Sequence, residues 1–566
     1  MRPIKFLLAS IALAVTTAAG AFAQDAVTPE PMAPIADMVI WGGPIYTADD
    51  ANPTAEAVAI KDGVFIHVGS RADAEALVGD TTTVLSLDGA ALYPGFVDAH
   101  AHLHGIGERE LTLNLEGINT LEEVKTAVAD WRVKEQPGLL VGRGWIETHW
   151  PEKRFPTRWD IDDVVGDVPV ILTRADGHAV VANSKALEMA GVTGATEAPY
   201  GGEIIKNALG EPTGMLVDAA MSLVYGLVPA PTQADVDRAL VTGASVYAQY
   251  GWTGLHNMSV PMTRVEALER LADAGDVKIR VYNAIEPDDA PGLFASGMRQ
   301  NADGRIITRT IKLYMDGALG SRGAALLEPY SDAASSGLLL TTKEDTMPLL
   351  RQALGNGIQI AMHAIGDRGN RLVLNWFEEA FDDVPVPERA IAEPRWRDEH
   401  TQIVSPEDLP RYAQLGVIAS MQPSHAIGDL HFAPDRLGDD RLVGAYAWSS
   451  LIASGAVVAG GSDAPVERGD PMIEFYAAVY RHDLKGFQGE NWHAEEAVTR
   501  TEALKMFTLW PAYASFAEDR LGSITVGKEA DLTAFDRDIM TAIPADIPKT
   551  KAIMTVVKGT VAYMAE

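Results

Sequence analysis

Cysteine is absent from this sequence, and so is any surplus of basic residues. Without cysteine there is no disulfide and no thiol nucleophile, and a transition metal would need histidine, carboxylate or modified lysine as ligands. Lys and Arg number 46 against 78 Asp and Glu, a net charge of -32. This balance argues against nucleic acid and against an anionic membrane surface as partners, since both require positive charge.

Long apolar runs are also missing after the amino terminus, so no membrane span is expected in the mature chain. The first 23 residues instead predict a signal peptide, with a basic start, the apolar run Phe6–Val15 and a small-residue cleavage site ending at Ala23. We therefore expect a periplasmic or secreted protein that begins near Gln24. Residues 24–34, rich in Pro and Ala, are interpreted as a disordered lead-in.

Short strand patterns occur near both ends of the chain. One is a hairpin around Lys61-Asp62-Gly63, because Asp-Gly between two apolar runs is a strong turn signal. Similar strand patterns return after residue 515. These patterns predict a small β-sandwich domain built from residues 35–93 and 515–566.

Between these ends, strand and helix patterns alternate, which is typical of α/β units with a parallel sheet. Eight strands are counted, the number of a (β/α)8 TIM barrel, here assigned to residues 94–514. The predicted strands are Phe96–His100, Thr253–His256, Ile279–Ala284, Thr310–Met315, Ile358–His363, Trp396–His400, Val417–Met421 and Val457–Ser462. The long gap after the first strand predicts an inserted α/β subdomain at residues 115–235. It would cover the active site, because loops after barrel strands lie on the catalytic face.

Histidines and one aspartate stand where several of these strands end. His100 and His102 are two residues apart, so both project from one face of an extended chain and can reach one metal ion. His256, His363 and His400 follow later strands, and Asp463 follows the small-residue eighth strand, which lets something large approach. The alternatives are histidines that cap strands with single hydrogen bonds, and an Asp463 that caps a helix. Several histidines on one barrel face favour a metal site, in which bound water has a pKa lowered to about 7.

Lys312 lies within an apolar strand, where an unpaired charge is costly. One interpretation is carboxylation by CO2, which gives an oxygen ligand that bridges two metals. The other is a buried ion pair with Asp316 or another carboxylate. The residue types alone leave both open.

Six motifs together resemble the amidohydrolase superfamily, and within it amidohydrolase family 3, the branch similar to N-substituted formamide deformylase. They are Pro94–His102, Arg174–His178 with Asn183-Ser184, Lys312–Gly323, His363–Asp367, Glu399-His400 and Gly461–Pro465. The resemblance covers nearly the whole mature chain. It implies a barrel flanked by a β-sandwich, with one or two metals, usually zinc.

The resemblance also implies roles for individual residues. His100, His102 and Asp463 would bind the more buried metal, and carboxylated Lys312 would bridge to a second metal on His363 and His400. Asp463 would also shuttle the proton. The residues that would face the substrate are His178, which would polarise the carbonyl, with Asp176 and Arg322, and the pocket candidates His256, His425 and Trp145.

Three further observations qualify this assignment. Ile146 stands where similar proteins often carry Asp, which suggests a less polar substrate group. Trp145 and Trp150 are either pocket walls or the core of the insertion. His104 shares the spacing of His100 and His102 but is expected beyond the strand, in the loop.

The sequence thus predicts an exported enzyme that hydrolyses an amide, N-acyl or N-formyl C–N bond of a small molecule through metal-activated water. The ligand types suit zinc, manganese or iron. A metal-dependent lactonase or esterase on the same site, and a catalytically retired periplasmic binding protein, are the alternatives. A homo-oligomer is allowed but not indicated.

Overall fold

The computed structural model describes residues 34–147, 150–175, 177, 179–199 and 202–566, with only the backbone of Asp218. The predicted signal peptide, residues 24–33 of the predicted lead-in, and Asp176 and His178 lie outside the described residues. Within the described part, no helix has both the length and the apolar character needed to cross a membrane.

A nearly closed barrel of eight parallel strands forms the centre of the molecule. In chain order the barrel strands are Phe96–Ala101, Trp252–Val260, Arg280–Ile285, Ile306–Tyr314, Gln359–Ala364, Arg397–His400, Ile418–Met421 and Val458–Gly460. The first and eighth strands meet where the Asp463 N–H donates to the carbonyl oxygen of His100 at 2.7 Å. The short strand Arg299–Gln300 pairs antiparallel with the fourth barrel strand. The predicted (β/α)8 barrel is confirmed, and each of its strands overlaps the predicted one.

Helices surround the barrel and connect its strands, and others belong to the terminal domain and to the insertion. The α-helices are Arg71–Glu75, Leu103–Leu111, Leu121–Glu135, Arg158–Val165, Ser184–Met189, Ser222–Tyr225, Gln233–Tyr250, Met262–Asp273, Ala290–Ser296, Lys343–Asn356, Asp367–Asp383, Leu409–Leu415, Pro423–Asp429, Ala433–Leu437, Trp448–Ala453, Pro471–Tyr480, Arg500–Met506 and Leu509–Ala514. Short 3-10 turns are Ala219–Met221, Pro287–Asp289, Val386–Glu388, Asp439–Gly444, Ala494–Glu496 and Pro544–Lys549. The Gln233–Tyr250 helix shows which residues determine where a helix begins and ends. Thr232 and Asp235 form a capping box at its start, and Gly251 ends it with a φ of +103°.

Both ends of the described chain contribute to one eight-stranded sheet. Its strands are Met38–Tyr46, Thr54–Lys61, Val64–Gly69, Thr83–Ser86, Ala91–Pro94, Leu532–Phe535, Ala552–Val557 and Thr560–Met564. The predicted hairpin is present, with Asp62 at a φ of 50° and Gly63 at 78°, as a tight two-residue turn requires.

The segment after the first barrel strand carries its own six-stranded sheet. Its strands are Leu113–Asn114, Leu140–Trp145, Val170–Arg174, Ala179–Ala182, Gly202–Lys206 and Pro212–Asp218. The first three pair parallel and the others antiparallel. This mixed sheet and the helices around it form the inserted α/β subdomain.

Aromatic rings seal the amino-terminal end of the barrel against the terminal sheet. Phe96 stacks on Phe507 at 6.2 Å between ring centroids and meets the edge of Phe535 at 5.3 Å. Trp252, fully buried, packs beside Phe96 at 6.3 Å. Because this end is filled by apolar packing, polar chemistry is left to the opposite end, where the strands terminate.

Candidate metal centre

Four histidines and one aspartate meet at the carboxyl ends of the barrel strands. His100 is the last residue but one of the first strand and His102 follows the strand, His363 lies near the end of the fifth strand, and His400 ends the sixth. The ring centroids of His100 and His400 are 4.7 Å apart, and those of His400 and His363 are 4.5 Å apart. Asp463 joins them from the loop after the eighth strand. Residues separated by more than three hundred positions in the chain therefore form one cluster.

Asp463 is the centre of this cluster. One of its oxygens, Oδ1, is 3.0 Å from Nε2 of His102 and 3.6 Å from Nε2 of His100. The other, Oδ2, is 3.7 Å from Nε2 of His425 and 4.0 Å from Nδ1 of His400. One ligand atom each from His100, His400 and Asp463 lie within 4.8 Å of one another. A single divalent cation can be held by such a set.

Oxygen acceptors behind the cluster orient three of the rings. Nδ1 of His100 lies 2.6 Å from the Glu399 carboxylate, and Nδ1 of His102 lies 3.1 Å from the Met258 carbonyl. Nδ1 of His400 lies 2.9 Å from Oε1 of Gln422. Since these oxygens are hydrogen-bond acceptors, each Nδ1 donates and each Nε2 keeps a lone pair for a metal. Histidine ligands of metals are oriented in this way.

The electrostatics of the cluster also fit a cation. Burial lowers the pKa of His100 to about 4, and burial together with the Lys312 charge lowers the pKa of His363 to about 3. Both imidazoles are thus neutral at neutral pH, the form that binds metals. Burial opposes ionisation of Asp463, but the histidines outweigh it and hold its pKa well below the usual range. Nε2 of His100, His363 and His425 is buried with no hydrogen-bond partner in the described structure, a cost that a bound cation removes.

Lys312 reaches the same region from the fourth barrel strand. Its side chain is 2% exposed, and burial lowers the pKa of its amine. Its ammonium lies 4.9 Å from the Tyr314 ring, but it forms no ion pair with Asp316 in the described part of the chain. Asp316 instead accepts backbone N–H groups of Ala325, Ile365 and Gly366. The ion pair considered from the sequence is therefore not formed with this carboxylate.

The backbone at His400 and Asp463 is unusual for residues other than glycine. His400 has a φ of 79° and Asp463 a φ of 59°. In the sixth strand Arg397 and Glu399 point into the barrel, and strict alternation would carry His400 outward with Asp398. The left-handed conformation interrupts this alternation where His400 joins the cluster. Backbone strain of this kind is concentrated at functional sites.

The two histidines proposed as pocket residues have different surroundings. His425, on the Pro423–Asp429 helix, is stacked over His400 at 6.1 Å and borders Asp463, so the structure brings it to the cluster. His256 lies inside the barrel and is 2% exposed. Its Nδ1 accepts from Nη1 of Arg397 at 2.7 Å. It therefore supports the buried polar core beneath the cluster.

Arg322, Trp145 and His104 lie apart from the clustered ligands. Arg322 is half-buried and forms two hydrogen bonds with Asp332, at 3.0 and 2.7 Å. Trp145 is fully buried in the core of the insertion beside Trp150, which is the second of the two interpretations given for it. His104 stands in the Leu103–Leu111 helix with its Nδ1 3.2 Å from Glu108.

Three supporting residues were missed as site residues. Arg397 and Glu399 form an ion pair, Nε to Oε1 at 2.6 Å, with both side chains fully buried. The contact between Nε and Oε1 is an ion pair rather than a hydrogen bond, because neither of these two atoms has a hydrogen-bond partner of suitable geometry in the described structure. Gln422 follows the seventh strand. Two charged residues on the short buried strand Arg397–His400 were the available signal for the first two, and no comparable signal marked Gln422.

The fold and the cluster together define a class, the metal-dependent hydrolases built on an α/β barrel. The sequence pattern of the amidohydrolase family matches residues 83–563. The chain belongs to this family, as its motifs predicted, and is a metal-dependent hydrolase that acts on carbon–nitrogen bonds.

Individual relatives are similar to this chain in sequence or structure along nearly its full length. YtcJ of Bacillus subtilis (strain 168) is 34% identical over 537 residues, covering 93% of this chain and 99% of the relative. N-substituted formamide deformylase of Arthrobacter pascens is 28% identical, covering 94% and 99%. A crystal structure of a metal-dependent hydrolase from Pyrococcus horikoshii OT3 has a TM-score of 0.74 at 25% identity, covering 90% and 99%.

Proposed function

We propose that the protein is an exported amidohydrolase that cleaves the C–N bond of a small-molecule amide, N-acyl or N-formyl compound. The observation that carries the proposal is the cluster at the barrel mouth, in which Asp463 lies within 4.0 Å of four histidines. The N-formyl class is supported by the Arthrobacter pascens relative, which is an N-substituted formamide deformylase. Export is supported by the signal-peptide pattern of the first 23 residues.

The residues that would hold the metal are His100, His102, His363, His400 and Asp463, with zinc, manganese or iron as suitable ions. When bound, the metal supplies Lewis acidity, which acidifies water and polarises a carbonyl. Asp463 is ionised at neutral pH, so its carboxylate accepts a proton from the attacking water and returns it to the departing amine nitrogen. His425, 3.7 Å from Asp463, is placed to orient this carboxylate or the substrate.

For Lys312 we propose carboxylation. Burial favours the neutral amine, which is the form that adds to CO2 and releases one proton as the carbamate forms. The product would place an anionic oxygen beside His100 and His363, where it could serve as a further ligand for the one or two metals that these residues would hold. The support is the position of a buried amine among histidines, without an ion-pair partner among the described side chains.

The test is turnover of a panel of N-formyl amines, N-acyl amino acids, dipeptides and lactones by the purified protein before and after metal removal. We expect amide hydrolysis that exhaustive chelation abolishes and zinc restores, with one or two metals per chain by elemental analysis. Asp463→Asn should lose catalysis while it retains much of the metal. Asp303→Asn, at an aspartate paired with Arg305 near the opposite end of the barrel, is the control and should behave as the unchanged protein.

Two results would contradict the proposal, and a third would contradict the role of one residue in it. Full amide turnover after exhaustive chelation would exclude metal-dependent catalysis. Turnover of lactones without any amide would assign the same site to ester chemistry. An undiminished rate in Asp463→Asn would remove the proton-transfer role of that residue while leaving the metal dependence intact.

A further inference from the structure

A cavity of about 370 Å³ lies beside the metal cluster. Its walls come from the Leu103–Leu111 helix, from the insertion strand Leu140–Trp145, from the end of the second barrel strand, and from the Met262–Asp273 helix that follows it. His102 lines this cavity and also contacts Asp463 at 3.0 Å. The His102 side chain therefore borders both the metal cluster and the cavity, so a molecule bound at the cluster can extend into the cavity.

Two arginines in the cavity wall have no side-chain partner among the residues that the structure describes. Neither Arg143 nor Arg264 forms a hydrogen bond or an ion pair with any side chain that the structure describes. Both are half-buried. Arg109 in the same wall is instead held by Glu110 at 3.0 Å and by the Arg468 carbonyl at 3.0 Å. In a chain of net charge -32, two unpaired arginines that face one cavity are an unusual concentration of free positive charge.

One carboxylate shares the cavity but does not neutralise these arginines. Glu108 is largely exposed and its carboxylate lies 3.2 Å from Nδ1 of His104. Its pKa is lowered chiefly by this histidine, with smaller contributions from the charges of Arg264 and Arg143. The arginines therefore attract an anion at a distance but have no direct contact with one, which leaves their N–H groups available to a ligand.

We propose that this cavity binds an anionic group of the substrate, a carboxylate, through Arg143 and Arg264. The inference rests on the proposed function and narrows its substrate class to N-acyl or N-formyl amines that carry a carboxylate, such as N-acylated amino acids. Guanidinium groups bind carboxylates through paired, charge-assisted hydrogen bonds. The scissile amide would lie at the cluster and the carboxylate beyond His102, a few bonds away.

The test compares N-acetyl-leucine with its neutral analogue N-acetyl-leucinamide. Arg143→Met and Arg264→Met should each lower kcat/KM for the acid roughly ten- to hundredfold and leave the amide analogue within about twofold, because only the acid loses a charge-assisted contact. Glu108→Gln should raise kcat/KM for the acid, since a competing negative charge is removed. Arg238→Met, at an exposed arginine paired with Asp235, is the matched control and should leave both substrates unchanged.

A binding measurement separates this inference from the proposed function. Metal-free protein is titrated with N-acetyl-leucine by calorimetry, and we expect the arginine variants to have a higher Kd. Their thermal unfolding transition should be retained, which shows that the variants are folded. Arginine-dependent binding without hydrolysis of any amide would refute the proposed function and keep the subsite. Metal-dependent hydrolysis that is equal for acid and neutral amide, and indifferent to both arginines, would overturn the subsite alone. Equal losses for both substrates would also overturn it, because they indicate a structural role. Tighter arginine-dependent binding of the matching aminophosphonate would overturn its assignment to carboxylates.

Discussion

Glu399 provides the sharpest test of how the centre is built, through the change Glu399→Gln. Its buried carboxylate lies 2.6 Å from Nδ1 of His100 and 2.6 Å from Nε of Arg397. Glutamine keeps the shape and one acceptor oxygen but removes the charge. Arg397, with a fully buried side chain, would then face only neutral partners. The change therefore acts on both stability and metal binding.

The size of the stability effect follows from the pKa of Glu399. Burial raises it, but Arg397 and His100 outweigh burial and lower it from 4.5 to about 2. At about 1.4 kcal/mol for each pKa unit, this lowering corresponds to about 3 kcal/mol. Leaving one partner of a buried ion pair unpaired costs about 3–5 kcal/mol, which agrees. Because the folded pKa is depressed, the stabilisation is present above pH 4.5 and is lost as the pH falls toward 2.

Urea unfolding at pH 7 and pH 3 measures this effect. We expect Glu399→Gln to lose about 3 kcal/mol at pH 7 and about 1 kcal/mol at pH 3, where the unfolded carboxylate is already protonated. The control is Glu518→Gln, which breaks a more exposed pair with Arg395 at 2.6 Å. Such a pair is worth less than about 1 kcal/mol.

Metal affinity, measured by competition with a chelator, is the second readout for Glu399→Gln. Loss of a charged partner behind a histidine ligand weakens metal binding roughly ten- to hundredfold. A variant with unchanged unfolding and unchanged affinity at pH 7 would refute the reasoning. A loss of stability that does not change between pH 7 and pH 3 would show that packing, rather than charge, is responsible.

Two further changes test other supports of the cluster. Gln422→Ala removes the 2.9 Å partner of His400, and we expect roughly tenfold weaker metal binding in the chelator competition, with unchanged affinity contradicting the orienting role. Lys312→Ala should lose metal and recover part of it with added short carboxylic acids, and electron density for an unmodified amine at Lys312 in crystals of the metal-loaded protein would contradict carboxylation.

The sequence was sufficient for the barrel because each strand carries its own local pattern. The eight apolar strand segments alternate with helical ones. Parallel strands in such a series form either a closed barrel or an open sheet. Histidines at the ends of these segments had to meet at one face once the barrel closed. His100, His363 and His400 could therefore be grouped without knowing any distance between them.

Other parts of the site depend on contacts that no local pattern encodes. Glu399 meets His100 across 299 positions of chain, and alternation alone would not have turned His400 toward the cluster. The cavity wall combines Arg143 from the insertion with Arg264 from a barrel helix. Where an insertion folds against a barrel is set by tertiary packing, so this pairing of arginines became visible only in the structure.

Gly461 shows what the small-residue eighth strand does. The sequence predicted that such a strand lets something large approach, and what approaches is the first barrel strand. A Cβ at Gly461 would lie 2.5 Å from the backbone nitrogen of His100 and 2.9 Å from Oδ1 of Asp98. The same close approach allows the Asp463 N–H to donate to the His100 carbonyl oxygen at 2.7 Å. The closure of the barrel therefore also sets the spacing of these two candidate metal ligands.

Gly461→Ala is therefore expected to damage the metal centre through the backbone. Overpacking at this contact costs about 1–3 kcal/mol and must separate the first and eighth strands, which increases the distance between His100 and Asp463. We expect lower stability in urea together with weaker metal binding. Gly292→Ala is the control, since nothing lies within 4 Å of the added Cβ and the residue is in the Ala290–Ser296 helix, where alanine is favoured. If Gly461→Ala bound metal as tightly as the unchanged protein, the ligand spacing would have to be set by the side chains alone. The hydrogen bonds that Glu399 and Gln422 accept from His100 and His400, rather than barrel closure, would then hold the cluster together.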